Sequence, residues 1–105
     1  MLKPGVKLAG IRPELVLAIY EARELWMLMT MSEFVITSVT DGTHSANSLH
    51  YSGRAFDMRT KPAPGDLVVR YRDRLRATLG SEFDVVLEGQ GTPNEHIHVE
   101  WDPKP

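Results

Sequence analysis

The sequence contains no cysteine. A chain without thiols has no disulfide, no thiolate nucleophile, no iron–sulfur ligand and no cysteine-built zinc site, so several common ways of bracing or arming a small domain are excluded. An excess of either charge is also missing. Twelve Lys and Arg stand against 14 Asp and Glu, for a formal charge of -2, and a pI near 6.0 gives no electrostatic ground for binding nucleic acid. Apolar runs are broken by charge well short of the roughly 18 residues that a spanning helix needs, so no membrane partner is expected either. Met1-Leu2-Lys3-Pro4-Gly5 lacks the apolar run and small-residue cleavage site of an export signal, which predicts a chain that starts in the cytoplasm. Histidine, finally, is absent from the first 43 residues.

What is present is the composition of an ordinary globular domain, 42% hydrophobic and 25% charged over 105 residues. That length accommodates one domain with one small core, spanning 1–105, and a monomer is expected. From Pro13 onward Leu15, Ala18, Ile19, Ala22, Leu25, Trp26 and Met29 recur at helical spacing, and proline suits the first helical position. Met27, Met29 and Met31 are read as core packing rather than as a binding surface. Phe34–Val39 is β-branched and aromatic, as a strand requires, and Thr40-Asp41-Gly42 ends it. A polar loop from Thr43 to Ser52 leads to a strand-like segment, Arg54–Thr60, which is broken by Lys61-Pro62-Ala63-Pro64-Gly65.

A second helix is predicted from Asp66 to Gly80, with Leu67, Val68, Tyr71, Leu75, Thr78 and Leu79 on one side. Its Arg70, Arg72, Arg74 and Arg76 are interrupted by Asp73 and read as a solvated face. Phe83–Glu88 and His96–Trp101 read as two strands of a hairpin. The fold class that follows is α+β, a small mainly antiparallel sheet with two packed helices.

All four histidines, His44, His50, His96 and His98, fall in two short segments. The two-residue period of a strand puts His96 and His98 on one face and Ile97 on the other. Ala55 and Asp57 likewise share a face, and Gly53 lets the chain turn tightly so that His50 and Asp57 can converge. Two histidines and one carboxylate form a zinc set that leaves a fourth position open, as catalytic sites do. By spacing alone, however, a histidine and an aspartate seven apart are weak grounds for a metal.

The whole string is more specific. Ser48-Leu49-His50-Tyr51-Ser52-Gly53-Arg54-Ala55-Phe56-Asp57, with the later His98, resembles the zinc D-Ala-D-Ala carboxypeptidase and L-alanyl-D-glutamate endopeptidase family. Val39-Thr40-Asp41-Gly42, His44-Ser45, Ser48-Leu49-His50-Tyr51, Gly53-Arg54-Ala55 and His96-Ile97-His98 are closer still to the Hedgehog signalling domain, which shares that zinc site. The resemblance runs from Ser38 to Glu100. It implies a Hedgehog/D-Ala-D-Ala peptidase-like fold, Zn2+ as cofactor, and His50, Asp57 and His98 as its ligands. His96 is then the imidazole beside the metal and His44 one at the rim. Ser48 would orient Asp57. Arg54 would meet a substrate carboxylate, or else form a surface salt bridge.

Two acids compete for the general base. Glu95 matches the bacterial peptidases, and Glu88 matches the Hedgehog-like proteins. Strand alternation turns Glu95 away from His96 and His98 unless a bulge intervenes, so Glu88 is preferred. Glu100 shares the ligand parity but is expected to lie past the metal. The acidic insert with which Hedgehog binds calcium is missing, and Asp41 alone cannot replace it. The activity implied is hydrolysis of peptide bonds in bacterial peptidoglycan stem peptides, in the manner of a phage lysis enzyme (an endolysin) that reaches the cell wall after release. A catalytically silent zinc-binding, partner-binding module is the alternative, with His44 closing the site as a fourth ligand.

Overall fold

The computed structural model describes residues 2–6, 8, 10–39 and 53–103. Six elements follow in order: α1 (Pro13–Thr30), β1 (Ile36–Ser38), β2 (Ala55–Arg59), α2 (Gly65–Leu79), β3 (Phe83–Glu88) and β4 (His96–Trp101). The four strands form one antiparallel sheet in the order β1-β2-β4-β3. The expected α+β class, two helices against a small antiparallel sheet, is what the chain adopts.

Proline at the start of α1 presets its backbone, and Leu15, Ala18, Ala22 and Trp26 form its buried stripe. The helix stops where the Thr30 hydroxyl donates to the Trp26 carbonyl (2.7 Å) and Met31 turns left-handed, its N–H donating to the Met27 carbonyl (3.0 Å). The methionine reading needs correction. Met29 packs on the core, but Met27 is 41% and Met31 87% exposed. Met27 lies one residue, a rotation of about 100°, beyond the buried stripe, and Met31 is already outside the helix.

Helix α2 buries Val68, Tyr71 and Leu75 and ends at Gly80, whose φ of 86° suits glycine. Thr78 is exposed instead of packed, its hydroxyl on the Arg74 carbonyl (2.9 Å). The arginines line the solvated side, and Arg76 reaches across to the Val85 carbonyl (2.7 Å).

Tyr71 joins the two helices at the centre. Its ring meets Trp26 edge-on at 4.9 Å, and its hydroxyl donates to the Ala22 carbonyl (2.7 Å). Burial pushes the Tyr71 phenol well above its ordinary range, so it stays a neutral donor. Phe56 and Met58 of β2, Val85 of β3, and Ile97 and Val99 of β4 meet the helices in a single cluster. Strand alternation therefore commits the other parity, Asp57, His96, His98, Glu100, Asp84 and Glu88, to the face away from that cluster.

Candidate metal and acid–base site

The register of the sheet determines which side chains on that face meet. Asp57 on β2 stands opposite His98 on β4, and on the far side of β4 Glu88 of β3 stands opposite His96. The carboxylate Oδ1 of Asp57 lies 2.8 Å from His98 Nδ1, while Glu100 Oε1 lies 2.5 Å from His98 Nε2. Burial of the ring works against its charge, but hydrogen bonds to Asp57 and Glu100 and their negative charge outweigh it. The net effect raises the His98 pKa from 6.5 to about 9. A carboxylate at each ring nitrogen favours the charged, doubly protonated ring.

His96 is held differently. Its Nδ1 is 2.8 Å from the Asn94 carbonyl, which can only accept, so Nδ1 carries a proton. Its Nε2 faces Glu88 Oε1 at 3.1 Å and Asp57 Oδ1 at 4.0 Å. With Nδ1 protonated, a single proton between Nε2 and Glu88 satisfies both, and that is the arrangement of an acid–base couple.

Asp57, Glu88 and His98 each bring one donor atom within 4.8 Å of the others. Imidazole nitrogen and carboxylate oxygen suit zinc, and Asp57 and His98 supply one of each beside the Glu88 carboxylate. The donor chemistry on this face therefore fits the metal that the resemblance implies. Of the expected ligands, Asp57 and His98 are brought together. His50, His44 and Ser48 lie outside the described residues. A cleft of about 500 Å³ opens beside Asp57 and His96, with Thr37, Arg59 and Lys61 on its walls. A larger hollow of about 630 Å³ is lined by Asp84 and Glu100 and not by Asp57, Glu88 or His98.

Two expected site residues do not join these contacts, although Glu95 lines the same cleft. Arg54 has the parity of Phe56 and Met58, opposite to Asp57, and its guanidinium covers the Trp101 ring at 5.2 Å. Alternation carries it to the other side of the strand from Asp57, and among the described residues it forms no salt bridge. Glu95 is also turned away from His96 and His98. One carboxylate oxygen accepts the Gly91 N–H (3.0 Å) and the other takes the Thr60 hydroxyl. Those bonds, Gly91 first, hold its carboxyl below the usual range.

Sequence reasoning missed the bond from Glu100 to His98, although two residues apart on one strand face is a spacing that favours it. No protein-family model matches the chain, and no curated protein matches it.

Proposed function

We propose that the chain is a zinc-dependent peptidase acting on the stem peptides of bacterial peptidoglycan, of the D-Ala-D-Ala carboxypeptidase or L-alanyl-D-glutamate endopeptidase type. One observation carries the reading: the pair Asp57 and His98 and the pair Glu88 and His96 share one sheet face, four side chains joined by contacts of 2.8 to 4.0 Å. A metal-donor pair beside an acid–base couple is what hydrolysis of a peptide bond requires.

His50, Asp57 and His98 would hold zinc, which when bound supplies Lewis acidity, acidifying a water and polarising the scissile carbonyl. Glu88 takes a proton from the nucleophile and, sharing it with His96 Nε2, returns it to the leaving amine. Asn94 keeps the His96 ring oriented through Nδ1. The cleft beside Asp57 and His96 gives an extended peptide access to that couple. The choice of peptidoglycan rests on the resemblance of the segment from Ser38 to Glu100, as does action on the wall after release. Among the described residues no helix is long and apolar enough to cross a membrane.

Purified peptidoglycan digested with the protein, and analysed by mass spectrometry, tests the reading. New termini at one stem-peptide bond are expected. Their formation should stop with a chelator, and also in Glu88→Ala protein that still binds zinc. Cleavage indifferent to the chelator would overturn the metal mechanism, and zinc binding with no cleavage of any stem peptide would leave the silent module.

A further inference from the structure

The His98 ring has a carboxylate at each nitrogen, and the two carboxylates are not equivalent. Asp57 comes from β2, directly opposite His98 in register, and belongs with Glu88 and His98 to the group of converging donors. Glu100 comes from β4 itself, two residues further along the same face. Its register partner is Asp84 rather than Glu88, which places it on the side away from the Glu88–His96 couple. Its carboxylate is 2.5 Å from His98 Nε2.

From this geometry we infer that Glu100 is a positioning residue: by accepting the Nε2–H of His98 it orients the ring so that Nδ1, beside Asp57, is the nitrogen offered to the metal. The inference rests on the zinc reading above and adds to it a residue to which the resemblance assigns no role. The physical ground is general. An imidazole that binds a metal through one nitrogen carries its proton on the other, and a carboxylate there fixes the tautomer, locks the ring plane and makes the ligand more basic. A ring that bound metal through Nδ1 would keep its proton on Nε2, the nitrogen that faces Glu100. Because Glu100 and His98 lie on the same strand, the contact is local and is rebuilt whenever β4 forms.

The test uses the full chain labelled with 15N-histidine, with zinc titrated in, and zinc affinity measured by competition with a chromogenic chelator. In the wild-type protein, zinc is expected to shift the His98 Nδ1 resonance while Nε2 retains its proton. Glu100→Ala should bind zinc about 10–100-fold more weakly. Glu100→Gln, whose amide oxygen still accepts the bond, should lose less. Circular dichroism reports whether each variant folds, and the wild-type spectra decide the question even if Glu100→Ala does not. Zinc found on Nε2, or a Glu100→Ala affinity equal to wild type, overturns the inference and leaves the zinc reading standing. A wild-type chain with no zinc affinity overturns the reading itself, and this inference with it.

Discussion

Glu88 and Glu95 flank the same loop and carry the same carboxylate, yet their neighbours give them different work. Glu88 faces the His96 imidazole, whereas Glu95 is consumed by the Gly91 N–H and the Thr60 hydroxyl. A carboxyl held below its ordinary 4.5 favours folding above that pH, and the contribution disappears as pH falls through the lowered value. Glu95→Gln is therefore expected to be less stable than wild type at pH 7, with the gap between the two denaturation curves narrowing as pH falls below 4.5. A gap of the same size at every pH would show that the charge is not the cause. At this scale the sequence was informative about parity and silent about register. The period of two was enough to join His96 with His98 and to turn Glu95 away. It could not say that Asp57 stands opposite His98 and not opposite His96, because that alignment depends on how strands 41 residues apart slide against each other. For Arg54 the motif outweighed the alternation that already placed it on the far side from Asp57.

Among the elements, β3 and β4 were legible to the residue, each bounded by turn residues, as were the start of α1 at Pro13 and the stop of α2 at Gly80. The first strand was not. Phe34 and Val35 are buried as strand residues would be, but the ladder spans only Ile36–Ser38, with a register shift inside it. Burial and ladder pairing are separate conditions, and only burial leaves a mark in composition. The tight turn expected at Gly53 has a more specific cause than chain reversal. Its φ is 72°, its carbonyl takes the Arg12 N–H (3.0 Å), and a Cβ there would stand 2.1 Å from the Gly10 carbonyl oxygen. Gly53 is thus where the segment leading into α1 crosses the start of β2. Gly53→Ala should cost roughly 2–4 kcal/mol, the left-handed backbone and the overlap together, in urea denaturation at unchanged m-value. A cost below about 0.5 kcal/mol, the range of ordinary surface changes, would mean that the crossing gives way easily.

For the whole molecule, a small core without disulfides makes the metal a candidate brace. Asp57 and His98 are already paired across neighbouring strands, so bridging them constrains little that the sheet has not constrained. A metal would add most through His50, by tying its segment to the sheet. Zinc at a hundredfold excess over its Kd should stabilise the fold by about 2.7 kcal/mol, on the order of 10 °C in Tm for a domain of this size. His50→Ala should lose most of that gain. A chelator that leaves the wild-type Tm unchanged in a melting experiment would show that 105 residues hold themselves together unaided. The sheet order has a further consequence for solubility. β3 is an edge strand, and Phe83–Glu88 is apolar at every position except Asp84 and Glu88. Charges on an edge act as gatekeepers against pairing with the same strand of another copy. Asp84→Val should accordingly show a scattering mass that rises with concentration, and a mass that stays with wild type would assign the protection elsewhere. Glu88 belongs to the same guard. Glu88→Ala, the substitution that tests the proposed chemistry, would also remove one of these charges, so its turnover has to be measured on protein shown to be monodisperse.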